Sequence, residues 1–201
     1  MDTPEVIHLT LATRNAHKAR EIAQILPERY VVHTLADHPE APEVEETGKT
    51  FAENAQLKAC GVSAVVPGLV LADDSGLCVD ALGGYPGVLS ARYAGEHGDD
   101  NANNAKLLYE LMHMLGHAPF TARFICAMCL AEGGKPLATF TGKVEGTISL
   151  TPAGCGGFGY DPIFIPDGHF ATFAEIPASI KNQISHRADA LRQLAGYLNT
   201  Y

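Results

Sequence analysis

The chain alternates between short apolar runs and segments in which apolar side chains recur every three or four residues. The runs predict strands, and the three-to-four spacing predicts amphipathic helices. The predicted strands cover residues 6–11, 30–35, 69–72, 77–79, 121–132, 136–148 and 163–165. The predicted helices cover residues 16–26, about 50–65, 101 or 103 to about 115, and a C-terminal segment with Ala188, Leu191, Ala195 and Leu198 on one face.

The order and length of these segments decide the fold class. The chain opens with a strand, a loop and a helix, whereas residues 121–132 and 136–148 read as two long strands joined around Gly133-Gly134. Such a pair predicts an antiparallel hairpin. We therefore expect an α/β fold with a mixed sheet instead of a purely parallel one. No repeat or linker divides residues 1–201, so a single domain is expected.

Composition and charge narrow the class of protein. The chain has 201 residues and a formal net charge of −9, which argues against general binding to nucleic acid. No run approaches the roughly 18 apolar residues of a membrane span, so no membrane partner is expected. Residues 1–5 lack the features of a secretory signal. A small polyphosphate can still bind where basic groups converge or a metal neutralises its charge.

The five cysteines indicate a reducing compartment, the cytoplasm, because their number is odd and no signal is seen. Cys126 and Cys129 form a C-x-x-C inside the apolar segment 124–130. A zinc site would need a second cysteine pair, which the sequence lacks. We interpret both residues as core side chains, and a thiol-redox role is the alternative.

Asp73-Asp74-Ser75-Gly76 follows the predicted strand 69–72 and reads as a turn at the end of that strand. Adjacent carboxylates on an extended chain point to opposite faces, so one can reach a site while the other satisfies backbone donors. Glu43, Glu45 and Glu46 form a second acidic cluster. Mg²⁺ commonly takes one or two carboxylates together with phosphates and waters. The two clusters indicate either a metal site or a structural turn and a solvated loop.

Several cations stand where helix stability does not explain them. Lys18 and Arg20 fall in the first turn of the helix after Asn15, and His186 and Arg187 open the last helix. Positive charge at a helix N-terminus opposes the macrodipole and costs a few tenths of a kcal/mol. A bound anion would account for these cations. Lys58 is a further candidate, on the same helical face as Asn54.

The glycine-rich segment 154–159 matches G-x-G-x-x-G, but a strand follows it instead of the helix that a dinucleotide site requires. Its glycines permit close backbone approach to a ligand, with Phe158 and Tyr160 as stacking faces. The sequence contains no P-loop, H-E-x-x-H or G-x-S-x-G motif, which argues against those three classes of hydrolase.

Taken together, these segments resemble the inosine/xanthosine triphosphate pyrophosphatase family almost from end to end. The matching motifs are Leu11-Ala12-Thr13-Arg14-Asn15 with Lys18, Glu46-Thr47-Gly48 together with Phe51-Ala52-Glu53-Asn54-Ala55 and Lys58-Ala59, Ala72-Asp73-Asp74-Ser75-Gly76-Leu77, Gly84-Tyr85-Pro86-Gly87, Ser90-Ala91-Arg92-Tyr93-Ala94-Gly95, Gly156-Gly157-Phe158-Gly159-Tyr160-Asp161-Pro162, and Lys181 before Ser185-His186-Arg187-Ala188. Seven blocks in order at compatible spacing are a highly specific signal.

The resemblance implies a fold with a long central mixed sheet, flanked by helices and divided into two lobes, with the substrate in the cleft between them. It also implies a homodimer. It implies Mg²⁺-dependent hydrolysis of dITP, ITP and XTP to the monophosphate and pyrophosphate. Glu46 and Asp74 would hold the metal, and Asp74 would also activate water. The residues implied for phosphates and sugar are Thr13, Arg14, Asn15, Ala16, His17, Lys18, Lys58 and Ser75. Those implied for the nucleobase pocket and its edge are Phe158, Gly159, Tyr160, Asp161, Lys181, His186 and Arg187.

The sequence departs from the family's pattern in two places. Arg14 and His17 stand where many relatives have glycine, which affects how closely phosphate approaches the loop. Ser179-Ile180 replaces an acidic pair expected before Lys181. Two other functions stay open: a pyrophosphatase with broader or different base specificity, and a nucleotide-binding protein without turnover.

Overall fold

The computed structural model describes residues 6–114, 116 and 118–200. Two predictions fall outside the described residues. They concern the absence of a secretory signal in residues 1–5 and the end of the third helix at about Leu115. The strands are β1 Ile7–Leu11, β2 Tyr30–Thr34, β3 Leu69–Val79, β4 Thr121–Glu132, β5 Lys135–Ile148 and β6 Phe164–Pro166. The α-helices of the described residues are α1 Ala16–Ile25, α2 Phe51–Ser63, α3 Asp100–Met112, α4 Ala178–Ile184 and α5 His186–Leu198. Within these ranges, no helix has the length and apolar character required to span a membrane.

The strands form one mixed sheet in the order β2-β1-β3-β4-β5-β6. Strand β1 pairs in parallel with β2 and β3, whereas β5 and β6 are antiparallel. Gly133 and Gly134 join β4 to β5 with φ values of 55° and 80°, the left-handed pair that a two-residue hairpin turn requires. The predictions of an α/β fold with a mixed sheet and of the hairpin are therefore confirmed.

The chain divides into two compact units, neither of which is continuous in sequence. Unit 1 consists of the described parts of Met1–Asp74, Cys126–Gly142 and Arg187–Tyr201. Unit 2 consists of the described parts of Ser75–Ile125 and Lys143–His186. The long strands β3, β4 and β5 each contribute residues to both units.

The core of unit 1 lies where α1 and α5 pack against the sheet. Leu9 and Leu71 contribute from β1 and β3, Ile22 from α1, and Leu191 and Leu194 from α5, and all are at most 2% exposed. Each such side chain stabilises the fold by about 1.5–3 kcal/mol relative to exposure. Of the face predicted for α5, Ala188, Leu191 and Leu198 are buried and Ala195 is half-buried, so the prediction for that helix is confirmed.

The core of unit 2 is aromatic. The ring centroids of Phe124 and Phe164 are 4.8 Å apart, and those of Phe164 and Phe173 are 5.3 Å apart. Leu107 and Leu111 of α3 pack in the same cluster and are fully buried. This packing fixes α3 on the unit through side chains spaced four residues apart.

Strand β3 differs from its prediction, because it continues without a turn from Leu69 to Val79. The turn expected at Asp73-Asp74-Ser75-Gly76 is therefore wrong. Gly76 has no left-handed φ, so its role is not that of a turn residue. A Cβ at this position would lie 2.6 Å from the Gly87 carbonyl oxygen and closer still to the Ser90 hydroxyl. Glycine is required because another segment of unit 2 approaches the strand closely.

Gly76→Ala is expected to lower the free energy of unfolding by about 1–3 kcal/mol, since the added methyl overpacks a closed site. Urea denaturation measures the change. Gly196→Ala is the control, because Gly196 is an exposed residue of α5 and a Cβ added there would have no neighbour within 4 Å among the described residues. That substitution should instead stabilise the protein by about 0.5–1 kcal/mol. Equal midpoints for Gly76→Ala and the wild type would show that the strand has room for a side chain.

Candidate active site

The loop between β1 and α1 is closed by hydrogen bonds of its own side chains. Asn15 caps α1, and its Oδ1 accepts from the amides of His17 and Lys18 at 3.0 and 3.1 Å. The Thr13 hydroxyl accepts from the Asn15 amide at 3.1 Å. The backbone amides of His17 and Lys18, at the helix start where an anion was expected to bind, therefore already donate to a protein acceptor. The side chains of residues 14–17 are exposed, so this loop stays accessible to a ligand.

Asp73 lies at the centre of a buried charge cluster in unit 1. Its Oδ2 is 3.2 Å from Lys18 Nζ and 3.2 Å from Arg187 Nη2. Arg187 also pairs with Glu21 through Nη1. Burial opposes ionisation of Asp73, but the charges of Lys18, Arg187 and Lys58 hold its pKa well below the ordinary value. Asp73 is therefore a carboxylate that the fold itself neutralises.

This cluster changes the interpretation of the cations at the helix starts. Arg187 is 1% exposed, and its partners are the carboxylates of Asp73 and Glu21. These internal carboxylates account for the charge of Arg187, so a bound anion is not needed to explain its position. Lys18 is the more accessible cation, with 18% of its side chain exposed beside Asp73. The predicted contact of Arg187 with the nucleobase stays a prediction.

Asp74 lies in a separate cluster with residues of α2 and the preceding loop. Asn54 Nδ2 donates to Asp74 Oδ2 at 3.0 Å, while Asn54 Oδ1 accepts from the Gly48 amide at 2.7 Å. Lys58 Nζ is 2.6 Å from Glu46 Oε1 and 4.0 Å from Asp74 Oδ1. The predicted group of Glu46, Lys58 and Asp74 is thus brought together. A capping box of Thr50 and Glu53 fixes the start of α2 beside this cluster.

The electrostatics of this cluster suit a divalent cation. Burial raises the pKa of Asp74, and the neighbouring charge of Glu46 adds to the effect despite Lys58 and Asn54. Burial disfavours the ammonium of Lys58, yet Asp73, Asp74 and Glu46 raise its pKa above the ordinary value. Two carboxylates therefore already share one cation. The described residues hold no group of three candidate ligands, so water and phosphate would complete a Mg²⁺ shell, as is usual for this ion.

A second cluster of predicted residues lies in unit 2. Lys181 Nζ is 2.8 Å from Asp161 Oδ2 and 4.9 Å from the centroid of the Phe158 ring. The same carboxylate oxygen accepts from the Phe158 amide at 2.8 Å. Asp161 and Lys181 are 3% and 6% exposed, whereas Phe158 is half-buried. The structure therefore brings Phe158, Asp161 and Lys181 together and leaves part of the Phe158 ring accessible.

The remaining predicted residues of unit 2 have different surroundings. The Tyr160 ring is 4% exposed, and its hydroxyl donates to the Ser90 carbonyl oxygen at 2.9 Å, so this ring packs in the core instead of forming an open stacking face. His186 is buried and stacks on Phe124 with the centroids 4.9 Å apart. Ser75 is a partly buried residue of β3. Gly159 has a φ of 63° and lies between Phe158 and Tyr160.

The Ser179-Ile180 departure lies at the surface. Both side chains are exposed, whereas Lys181 is buried with its ion pair to Asp161 intact. Replacing an acidic pair at an exposed start of α4 therefore leaves the contacts of Lys181 in place. Sequence reasoning missed two sets of residues that contact predicted site residues. Glu21 pairs with Arg187, and Asp100 and Asn104 of α3 form hydrogen bonds with Gly159.

Cys126 and Cys129 lie in β4 as buried, free thiols. Their spacing of three residues places them on opposite faces of the strand. Burial raises the pKa of Cys126 to about 12 and that of Cys129 to about 11. Neither thiol is a ready nucleophile, so the geometry favours core packing over redox chemistry.

The chain is similar to known proteins in both sequence and fold. Residues 9–197 match the model of the Ham1 family. A dITP/XTP pyrophosphatase of Shouchella clausii is 50% identical over 92% of this chain and 93% of its own length, and one of Geobacter sulfurreducens is 52% identical over 94% and 96%. Among solved structures, a HAM1 protein from Coxiella burnetii has a TM-score of 0.86 at 38% identity, covering 97% of this chain and 100% of that one. The Staphylococcus aureus Ham1 protein has a TM-score of 0.83 at 39% identity, covering 96% and 98%.

Arg187→Met is expected to lower the free energy of unfolding by about 3–5 kcal/mol, because it leaves the buried carboxylates of Asp73 and Glu21 without their shared cation. Arg192→Met is the matched control on the same helix. Arg192 pairs with Asp189 at the surface, so its loss should cost no more than about 1 kcal/mol. Urea denaturation compares the two, and similar losses would contradict the internal role of Arg187.

Proposed function

The chain belongs to the Ham1 family, and on that premise we propose that it hydrolyses non-standard purine nucleoside triphosphates, dITP, ITP and XTP, to the monophosphate and pyrophosphate. Support comes from relatives named dITP/XTP pyrophosphatase, which are 50–52% identical over 92–94% of the chain. The observation that carries the proposal is the convergence of Glu46, Lys58 and Asp74 beside the Lys18–Asp73 pair.

The phosphate chemistry is assigned to unit 1. Cleavage between the α- and β-phosphates needs an in-line water, a base for its proton, and cations that neutralise the leaving pyrophosphate. Asp74 is the base, because Asn54 holds one carboxylate oxygen while the other faces Lys58. Lys58 and Lys18 are the cations, since each is already held in place by carboxylates.

Mg²⁺ is the proposed cofactor, with Glu46 and Asp74 as its protein ligands. When bound, it supplies charge neutralisation on the phosphates and lowers the pKa of a coordinated water. Lys58, whose Nζ pairs with Glu46 in this structure, is the cation proposed to contact a phosphate oxygen. Thr13, Arg14, Asn15, Ala16 and His17 are proposed to contact the phosphates from the β1–α1 loop.

The nucleobase is assigned to the loop that carries Phe158, because part of this ring is accessible beside the ion pair of Lys181 and Asp161. Hypoxanthine and xanthine carry an acceptor at the 6-position, where adenine carries an amino donor. A site that donates to the 6-keto group leaves its donor unpaired when adenine binds, and such sites discriminate strongly. The backbone amides of this loop are the proposed donors, with Lys181 held beside the ring by Asp161. The homodimer and the cytoplasmic location implied by the sequence stay predictions.

The identity of the products tests this function most directly. With ITP and Mg²⁺, we expect equal amounts of inosine monophosphate and pyrophosphate, measured by chromatography and a pyrophosphate assay. Release of orthophosphate would place the attack at the wrong phosphorus. ITP, XTP, dUTP, GTP and ATP are compared in the same assay. Equal rates would favour a pyrophosphatase of broad specificity, and binding of ITP without any product would favour a nucleotide-binding protein.

Asp74→Asn is expected to lower kcat at least about 100-fold while leaving the fold intact, because the amide cannot accept a proton from water. Glu46→Gln should raise the Mg²⁺ concentration needed for half-maximal activity, since it removes one of two carboxylate ligands. Glu45→Gln is the matched control from the same acidic loop, where Glu45 is exposed. Steady-state kinetics in a Mg²⁺ titration measure all three variants. Full activity of Asp74→Asn would remove Asp74 from the mechanism.

A further inference from the structure

Two side chains near the start of α3 hold the loop that carries Phe158. Asp100 Oδ2 accepts a hydrogen bond from the Gly159 amide at 2.7 Å. Asn104 Nδ2 donates to the Gly159 carbonyl oxygen at 2.8 Å. One helix therefore satisfies both backbone polar groups of a single residue. This pair of contacts, from Asp100 and Asn104 to Gly159, is called the Gly159 clamp below.

The clamp acts on a residue in an unusual conformation. Gly159 has a φ of 63°, in the left-handed region that favours glycine, and a Cβ added there would have no neighbour within 4 Å in the described part of the chain. Glycine is therefore required by the backbone angle and not by lack of space. Glycine is also the residue with the greatest backbone freedom, so the loop needs contacts from outside to hold Gly159 in a single conformation. The two hydrogen bonds from α3 supply them.

The amide of Asn104 is committed to this task. Its Nδ2 also donates to the Asp100 carbonyl oxygen at 2.8 Å, so both of its hydrogens are used. Asn104 Oδ1 is buried and has no hydrogen-bond partner within the described ranges. Turning the amide over would place Oδ1 against two carbonyl oxygens. The Asn104 amide therefore keeps the orientation in which Nδ2 donates to Gly159. This orientation leaves Oδ1 without a hydrogen bond among the described residues, which is unfavourable.

The residues on either side of Gly159 are anchored by other groups. The Phe158 amide donates to Asp161 Oδ2 at 2.8 Å, and the Tyr160 hydroxyl donates to the Ser90 carbonyl oxygen at 2.9 Å. Gly159 is the flexible joint between these anchors. The direction of the half-buried Phe158 ring therefore depends on the clamp.

We propose that Asp100 and Asn104 are positioning residues for the purine base, because they fix the Gly159 peptide and through it the ring of Phe158. This inference rests on the proposed function, which assigns the base to this loop. Asp100 and Asn104 belong neither to the phosphate-binding residues nor to the metal ligands of that function. Their loss should weaken recognition of the base and leave the chemical step unchanged.

The test compares four variants in steady-state kinetics with ITP and Mg²⁺. Asp100→Ala and Asn104→Leu are expected to raise KM about tenfold with little change in kcat, the result of losing binding that substrate and transition state share. Asp100→Asn should retain most of the affinity, because its amide oxygen can still accept from Gly159. Asp99→Ala is the matched control, since Asp99 caps the same helix through the Ala102 amide at 2.9 Å and is not a member of the clamp.

Inhibition by inorganic pyrophosphate, which has no base, separates positioning from general damage. Its inhibition constant should be the same in the wild type and in every clamp variant. An unchanged KM in both Asp100→Ala and Asn104→Leu would overturn the inference. It would also be overturned by an equal rise of KM in Asp99→Ala, or by a parallel loss of pyrophosphate inhibition. If Asp100→Ala does not fold, Asn104→Leu and Asp100→Asn decide the question. A wild type that does not turn over ITP would refute the proposed function instead.

Discussion

A buried carboxylate imposes the strongest constraint on unit 1. Asp73 is 4% exposed, and an isolated charge at that depth would not be tolerated. Lys18 and Arg187 neutralise it, and Glu21 in turn balances Arg187. Two acids and two bases thereby join β3 to α1 and α5. Ion pairs of this kind add little net stability, but they tolerate no missing member. The positions of Lys18 and of the strand that carries Asp74 follow from that requirement.

The alternation of side chains along β3 separates structural charge from chemical charge. Asp73 contacts the charges of α1 and α5, whereas its neighbour Asp74 contacts Asn54 and Lys58 of α2. A turn at this position would not guarantee such a division, but an unbroken strand does, because successive side chains point to opposite faces. The strand stays unbroken at Gly76. Glycine is needed there because the Gly87–Ser90 segment approaches too closely for a side chain. One pair of adjacent residues thus serves two separate clusters.

Local patterns predicted the parts of the fold that depend on local physics. The capping box at Thr50, the paired glycines of the hairpin and the helical spacing of α5 could all be identified from the sequence. What could not be predicted depends on distant partners. Arg187 meets Asp73 across 114 residues and Glu21 across 166, so only the mismatch of a cation at a helix start was visible. A cation at a helix start costs a few tenths of a kcal/mol, whereas removing one partner of a buried ion pair costs about 3–5 kcal/mol. The buried pairing therefore decides where Arg187 lies.

The discontinuous make-up of unit 1 has a consequence for the order in which a ribosome completes it. One of the two counter-charges of Asp73 is Arg187, which follows the whole of unit 2 in the chain. Until residue 187 has left the exit tunnel, Asp73 and Glu21 lack their shared partner, and the cluster that carries Asp74 lacks its support. The nascent chain therefore holds an acidic, incompletely packed N-terminal half for most of its synthesis. A truncated product that ends before α5 is expected to be a substrate for quality-control proteases and not a partially active enzyme.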